Sequence, residues 1–198
     1  LLHRLGSRQI RNCGTIGGNL ANGSPIADMP PVLICWGATV ELCTSSGQTR
    51  GVSINEFYRG YRQTVLQADE YIAGIRIPKR SLDSFARFYK SSKRIEDDIS
   101  SVMGAFLFQG DGSKITAARI AFGGMAATPV SLPGIEDILV GKTINKRLLS
   151  EVGEAIGEMM SPMTDVRASA EYRAAMARSM LERALNEFSG VSTPLVME

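Results

Sequence analysis

An α+β fold with an antiparallel sheet is predicted by three features of the sequence. Residues 85–91, 101–108 and 115–122 carry strand patterns in succession. The last two are joined by Gly110-Asp111-Gly112-Ser113, which is tight-turn chemistry. Helical periodicity begins only after Gly123-Gly124. Strands followed by helices argue against an alternating, doubly wound parallel sheet. The 198 residues suffice for one or two domains with a real core, and 44% hydrophobic against 21% charged residues places the chain among globular proteins.

Taken in order, residues 9–31 mix Gly14, Gly17, Gly18 and Gly23 with Asn, Ser and Asp, and no period persists. They read as a long structured loop, a kind of segment that often carries function. A short helix is expected to open after Pro25, from Ile26, and to run through Val32, Leu33 and Cys35 to a stop at Gly37. In residues 38–44, Val40 and Leu42 alternate with Thr39, Glu41 and Cys43; Ser45-Ser46-Gly47 then turns the chain into a return strand over 49–54. Residues 55–61 form a short helical turn with Phe57, Tyr58 and Tyr61 on one face, and residues 70–78 form a strand stopped by Pro78. Residues 81–83 are a candidate domain boundary, which gives units at 1–80 and 81–190 and a tail at 191–198. In the second unit, Phe85, Arg87 and Tyr89 alternate with Ala86 and Phe88, residues 101–108 are almost continuously apolar, and 115–122 alternate again. Leu148, Val152, Ile156 and Met159 mark one helix. Tyr172, Met176, Met180 and Ala184, beside Leu181, Leu185 and Phe188, mark another, with Ser169 as its N-cap. Met159, Met160 and Met163 are read as core filling.

Several function classes are excluded. The net charge is +2, from 22 basic and 20 acidic residues, with no basic run that could track phosphates, so nucleic-acid binding has no electrostatic support. No apolar run approaches the ~20 residues of a membrane span. Cys13, Cys35 and Cys43 form no CxxC pair and cannot build a zinc site with the lone His3, so no metal site is expected and the thiols fit a reduced, cytoplasmic protein. One histidine near the start of the chain excludes a Ser/His/Asp or Cys/His catalytic set, and no catalytic acid or base is assigned. The opening Leu1-Leu2-His3 carries neither an initiator methionine nor a signal segment, which predicts a piece of a longer polypeptide.

The chemically densest segment runs from Cys13 to Asp28. Adjacent glycines allow close backbone approach to an anion, and Thr15 and Ser24 can add hydroxyls. The spacing is neither that of a dinucleotide-binding G-x-G-x-x-G nor that of a P-loop, and a ligand-free turn is equally compatible with it. Asp28 suits either a ribose or ring N–H, or a helix cap. Residues 90–99 hold six charges, which a solvated loop explains as well as a role for Lys90 near an electron-rich ring. Gly123-Gly124 permits a close backbone crossing or a sheet-to-helix turn.

The run Thr15-Ile16-Gly17-Gly18-Asn19-Leu20-Ala21-Asn22-Gly23-Ser24-Pro25-Ile26-Ala27-Asp28 resembles the flavin-binding loop of the molybdenum hydroxylases, in particular of bacterial xanthine dehydrogenases. Phe57-Tyr58-x-x-Tyr61-Arg62, Ile75-x-Ile77-Pro78, Lys90 with Glu96-Asp97-Asp98-Ile99, Ala121-Phe122-Gly123-Gly124-Met125-Ala126 and Asp165-x-Arg167-Ala168-Ser169-x-x-Tyr172-Arg173 resemble the same family in the same order. The resemblance implies the second lobe of an FAD-binding domain of the PCMH type over 1–80, then a domain like the C-terminal domain of carbon monoxide dehydrogenase flavoproteins, an antiparallel sheet plus helices.

It also implies that Thr15, Gly17, Gly18 and Asn19 lie along the FAD pyrophosphate, and that Ser24 and Asp28 contact the cofactor further along. Ile72 would pack beside FAD, and Lys90 would lie near the flavin ring. Residues 94–97 resemble a loop that influences access of NAD or oxygen to the flavin, and Leu5 stands where some relatives have a stacking phenylalanine. Molybdenum cofactor and iron–sulfur clusters would sit on other domains or subunits of a larger oligomeric complex; iron–sulfur modules need about eight cysteines in clusters, and this chain has three. The implied function is passage of electrons through FAD to NAD, with this piece inactive alone. Asn22-Gly23-Ser24-Pro25 favours the purine-oxidising branch. The alternatives are a carbon monoxide dehydrogenase-like or aldehyde-oxidising medium subunit, or a non-catalytic docking piece.

Overall fold

The computed structural model describes residues 1–79 and 84–191. The expected boundary at 81–83 and residues 192–198 of the expected tail lie outside the described residues. A 3₁₀ turn (Leu2–Arg4) leads into α1 (Arg8–Cys13), α2 (Ile16–Ala21) and α3 (Met29–Trp36). Strands β1 (Thr39–Thr44) and β2 (Thr49–Ser53), the single turn α4 (Ile54–Phe57), the hairpin β3 (Tyr58–Gly60) and β4 (Gln63–Thr64), and β5 (Glu70–Arg76) follow. Then come β6 (Phe85–Ser91), β7 (Val102–Gly110), β8 (Ile115–Gly123) and β9 (Val130–Ser131), and finally α5 (Pro133–Leu139), α6 (Lys146–Met159) and α7 (Ala170–Phe188).

The α+β expectation is met by two antiparallel sheets and a two-stranded hairpin. In the first sheet, ordered β2-β1-β5, Val40 pairs with Val52 and Ile75, and Val40 and Leu42 are fully buried. The second sheet, β6-β7-β8-β9, explains why residues 101–108 show no alternation. Val102, Phe106 and Phe108 face α6 and α7, while Met103, Ala105 and Leu107 face α3, so β7 is apolar on both sides. Strand β6 follows the same alternation: Phe85 and Tyr89 join the α7 side, and Phe88 lies edge-on to Trp36 at 5.9 Å.

Every residue of α3 from Met29 to Cys35 is buried. The helix therefore shows little amphipathicity, and it joins residues 1–79 to the second sheet in one continuous core. Pro30 suits its first turn, and Gly37, at φ 63°, closes it in the left-handed conformation. The Cys35 thiol donates to the Ala105 carbonyl at 3.1 Å.

Four expectations need correction. Residues 9–31 are not one loop: Ser7 and Thr15 cap α1 and α2 through side-chain oxygens, and each helix is too short for a period to emerge. The helix expected from Ile26 starts at Met29, because the turn at 24–27 is closed by the Ala27 N–H donating to the Ser24 carbonyl at 3.2 Å. Residues 58–60 leave the expected helical turn as a strand of the β3/β4 hairpin, which leaves Tyr61 58% exposed. Met159 and Met163 are exposed, so of the three methionines read as core only Met160 is buried.

Candidate functional site

The first turn of α2 is built by Thr15, whose Oγ1 accepts from the Gly18 N–H at 2.9 Å while its carbonyl accepts from Asn19 N–H at 3.1 Å. That leaves the Ile16 and Gly17 N–H groups as the orphan donors of this helix start. The glycine pair thus forms a capped helical turn in place of an open run of amides. Gly17 faces β5, where a Cβ would make only ordinary van der Waals contact with Ile72, at 3.7 Å. Asn19 turns inward, and its Oδ1 accepts from Met29 N–H at 3.3 Å, locking α2 to the start of α3.

Beside this turn opens a cleft of about 310 Å³ lined by Leu2, Leu5, Ile10 and Ile16, with Arg11, Thr15 and Asn19 as its polar members. Leu2, Ile10 and Ile16 are 60%, 59% and 46% exposed, an apolar wall presented to solvent. Leu5 belongs to that wall, where a stacking residue was in question.

Asp28 occupies the N-cap position of α3 but makes no side-chain cap bond. Its carboxylate is buried and accepts instead from the Lys90 ammonium at 2.8 Å and from the Ser100 hydroxyl. Lys90 is equally buried, with 4% of its side chain exposed, and also donates to the Arg4 carbonyl at 3.0 Å. A charge pair this deep persists only when its remaining hydrogen-bonding capacity is met, as it is here through Ser100 and Arg4. Ser24 stands apart from the pair. Its hydroxyl accepts from the Ile26 N–H at 3.4 Å and shapes the turn that delivers Asp28.

The segment after Lys90 is tied down. Arg4 donates from Nε to the Ile95 carbonyl and from its terminal nitrogen to the Ser92 hydroxyl, both at 3.0 Å. Asp98 accepts from the Arg94 N–H at 2.7 Å, a bond that holds its carboxyl below the usual range. Asp97 takes a φ of 49°, a left-handed conformation that Asp tolerates.

Thr15, Gly17, Gly18 and Asn19 therefore share one helical turn at the cleft, Ile72 backs Gly17, and Asp28 and Lys90 meet in one buried pair behind Arg4. Sequence reasoning missed Leu2, Ile10 and Ile16, whose isolated positions carry no period, and Arg4 and Ser100, whose partners lie 72 to 91 residues away. It also missed Arg173. The stripe expected on α7 placed Tyr172 inward, yet Tyr172 is 47% exposed and Arg173 is 2% exposed. Among the described residues no group of three or more His, Cys, Asp or Glu could hold a metal, and no helix is long and apolar enough to cross a membrane.

The family described as the FAD binding domain in molybdopterin dehydrogenase matches residues 1–80, and the CO dehydrogenase flavoprotein C-terminal domain matches residues 87–188. Xanthine dehydrogenase of Drosophila subobscura is 32% identical over 191 residues, covering 93% of this chain and 14% of that protein. The glyceraldehyde dehydrogenase medium chain of Sulfolobus acidocaldarius is 30% identical over 183 residues, covering 92% of this chain and 64% of that one. The structure of reconstituted CO dehydrogenase from Oligotropha carboxidovorans superposes with a TM-score of 0.88 at 32% identity, covering 96% of this chain and 65% of that chain. The chain thus spans less than two thirds of each of these relatives.

Proposed function

This chain belongs to the FAD-binding family of the molybdenum hydroxylases, and from that premise we propose that it forms part of the flavin site of a xanthine dehydrogenase-type oxidoreductase. The observation that carries the reading is the adjacency of three unlike features: an apolar cleft, a capped turn with two orphan N–H donors, and a buried Asp28 and Lys90 pair. A cofactor with an apolar ring system, a pyrophosphate and polar ring edges asks for these three.

In this reading the Ile16 and Gly17 N–H groups, with Thr15, Gly18 and Asn19 around them, hold the pyrophosphate. Ser24 and Asp28 contact the cofactor further along, Ile72 packs beside it, and Lys90, paired with Asp28, lies near the flavin ring. Leu2, Leu5 and Ile10 exclude water from one side. Bound FAD supplies acceptance of two electrons and their delivery to NAD; the protein's share is to orient the ring and set the charge around it. The bond network around residues 92–98 fixes the loop that would flank the acceptor's path. Residues 1–80 would form the second lobe of the FAD domain and residues 81–190 the C-terminal domain, with molybdenum and iron–sulfur centres on partner domains or subunits of a cytoplasmic oligomer.

A second reading, the medium subunit of an aldehyde- or carbon monoxide-oxidising enzyme, is favoured by the glyceraldehyde dehydrogenase and CO dehydrogenase similarities. Against it stands Asn22-Gly23-Ser24-Pro25, which has Ser24 before the proline where the resemblance gives carbon monoxide dehydrogenase-like medium subunits an acidic residue. Anaerobic reduction of the intact flavoprotein separates the two. Xanthine should bleach the flavin absorbance and NAD should restore it; bleaching only by aldehyde or carbon monoxide selects the second reading, and a complex without releasable FAD leaves only the docking role.

A further inference from the structure

Arg173 does not line the apolar cleft, yet it is among the most buried charged side chains described. One terminal nitrogen donates to the carbonyls of Ser101 and Gly124, the latter at 3.1 Å, and the other donates to Asp165 Oδ1 at 2.8 Å. Both carbonyls lead toward the site. The Gly124 N–H donates to the Pro25 carbonyl at 2.8 Å, within the turn that delivers Asp28. Ser101 follows Ser100, whose hydroxyl donates to the Asp28 carboxylate opposite Lys90.

The close approach is built in. Gly124 has φ 83°, and a Cβ there would stand 2.4 Å from the Ser101 carbonyl oxygen and 2.8 Å from the Arg173 terminal nitrogen. Asp165 is prepared as counterion: it also accepts from the Arg167 and Ala168 N–H groups at 2.8 and 3.1 Å. Burial pushes its carboxyl up, but these bonds and Arg173 outweigh that and bring it down to about 2, so it is an anion throughout the neutral range.

We infer that Arg173, from α7, is a positioning residue for the cofactor, holding the 24–28 turn and the Asp28 and Lys90 pair in register through Gly124 and Ser101. The inference rests on the flavin reading above and assigns that site a support in the second half of the chain. Arginine suits the task because its planar fork donates in fixed directions to two carbonyls and a carboxylate at once, which an ammonium cannot reproduce. The charge is tolerated at this depth because Asp165 neutralises it.

The test uses the intact flavoprotein, stripped of FAD and titrated back, with the flavin absorbance giving the dissociation constant. Arg173→Met should weaken FAD binding about tenfold or more, the loss expected for charge-assisted hydrogen bonds that set a binding geometry, and Arg173→Lys should fall between it and the native protein. Arg87→Met is the control. It removes another tie to α7, the 2.7 Å bond to Glu187, neither residue of which lines the cleft, and should leave FAD affinity within about twofold whatever it does to thermal stability. The midpoint potential of the bound flavin should likewise shift in Arg173→Met and not in Arg87→Met.

A folded Arg173→Met protein with native FAD affinity and potential would overturn the positioning role. If that variant fails to fold, Arg173→Lys and Asp165→Asn decide in its place: weakened FAD binding supports the role and native affinity overturns it. Failure of the flavin reading looks different, since then the native protein would hold no releasable FAD, or Asp28→Asn too would leave FAD affinity unchanged.

Discussion

Asp28→Ala is expected to destabilise the protein by about 3–5 kcal/mol, the cost of stranding one member of a buried ion pair, and to abolish FAD binding. The substitution leaves the Lys90 ammonium, 4% exposed, with only the Arg4 carbonyl, and leaves the Ser100 hydroxyl without its acceptor. Stability and function can be separated here. The double variant Asp28→Ala with Lys90→Met removes the stranded charge and fills its channel with an apolar chain, so it should regain much of the lost stability. It should regain none of the FAD affinity, because the contacts proposed for Asp28 and Lys90 at the flavin end of the cofactor are gone. Denaturant unfolding and FAD titration of the two variants check the pair of statements.

Phe106→Ala should cost a similar amount, about 3–5 kcal/mol, through a cavity with no means of collapse. Phe106 is fully buried in β7, with ring centroids of Tyr89, Phe108 and Phe122 at 5.7, 6.3 and 5.5 Å. The ring fills the space left by Gly104, where a Cβ would approach it to 2.9 Å, so the gap opened by alanine would be bounded on the near side by bare backbone. Thermal unfolding measures the loss. A shift no larger than that of an exposed substitution would show that the core between the sheet and α7 is packed differently.

What the sequence made legible follows from how each element is stabilised. Helices α6 and α7 bury one face each, so their periods are visible; β6 and β8 alternate in residue type although both of their faces are packed over part of their length, and the ends of β6 match the expected 85–91. Strand β7 was legible as a strand but not as the shared wall of two half-cores, because a continuous apolar run does not say what covers either side. Helices α1 and α2 were illegible by period. Their signals are the cap residues Ser7 and Thr15, and the glycines following Thr15 argued for a loop.

The site was legible only in part for a different reason. Thr15, Gly17, Gly18 and Asn19 are contiguous, so composition marks them as a backbone-approach segment. Asp28 and Lys90, by contrast, stand 62 positions apart in the sequence, and only the resemblance placed both near the cofactor. Arg173 closes the motif at residues 165–173, but its burial and role were unreadable, because the carbonyls that it binds lie 72 and 49 residues away and a charge on a helix reads as solvent-facing.

The central claim is that the turn capped by Thr15 receives FAD, and amide hydrogen exchange of the intact flavoprotein, with and without FAD, tests it most directly. The Ile16 and Gly17 amides are the orphan donors at the start of α2, so they should exchange fast in the FAD-free protein and become strongly protected when FAD binds, together with the backbone around Asp28 and Lys90. Stoichiometric FAD binding that leaves exchange at Ile16 and Gly17 unchanged would contradict the assignment.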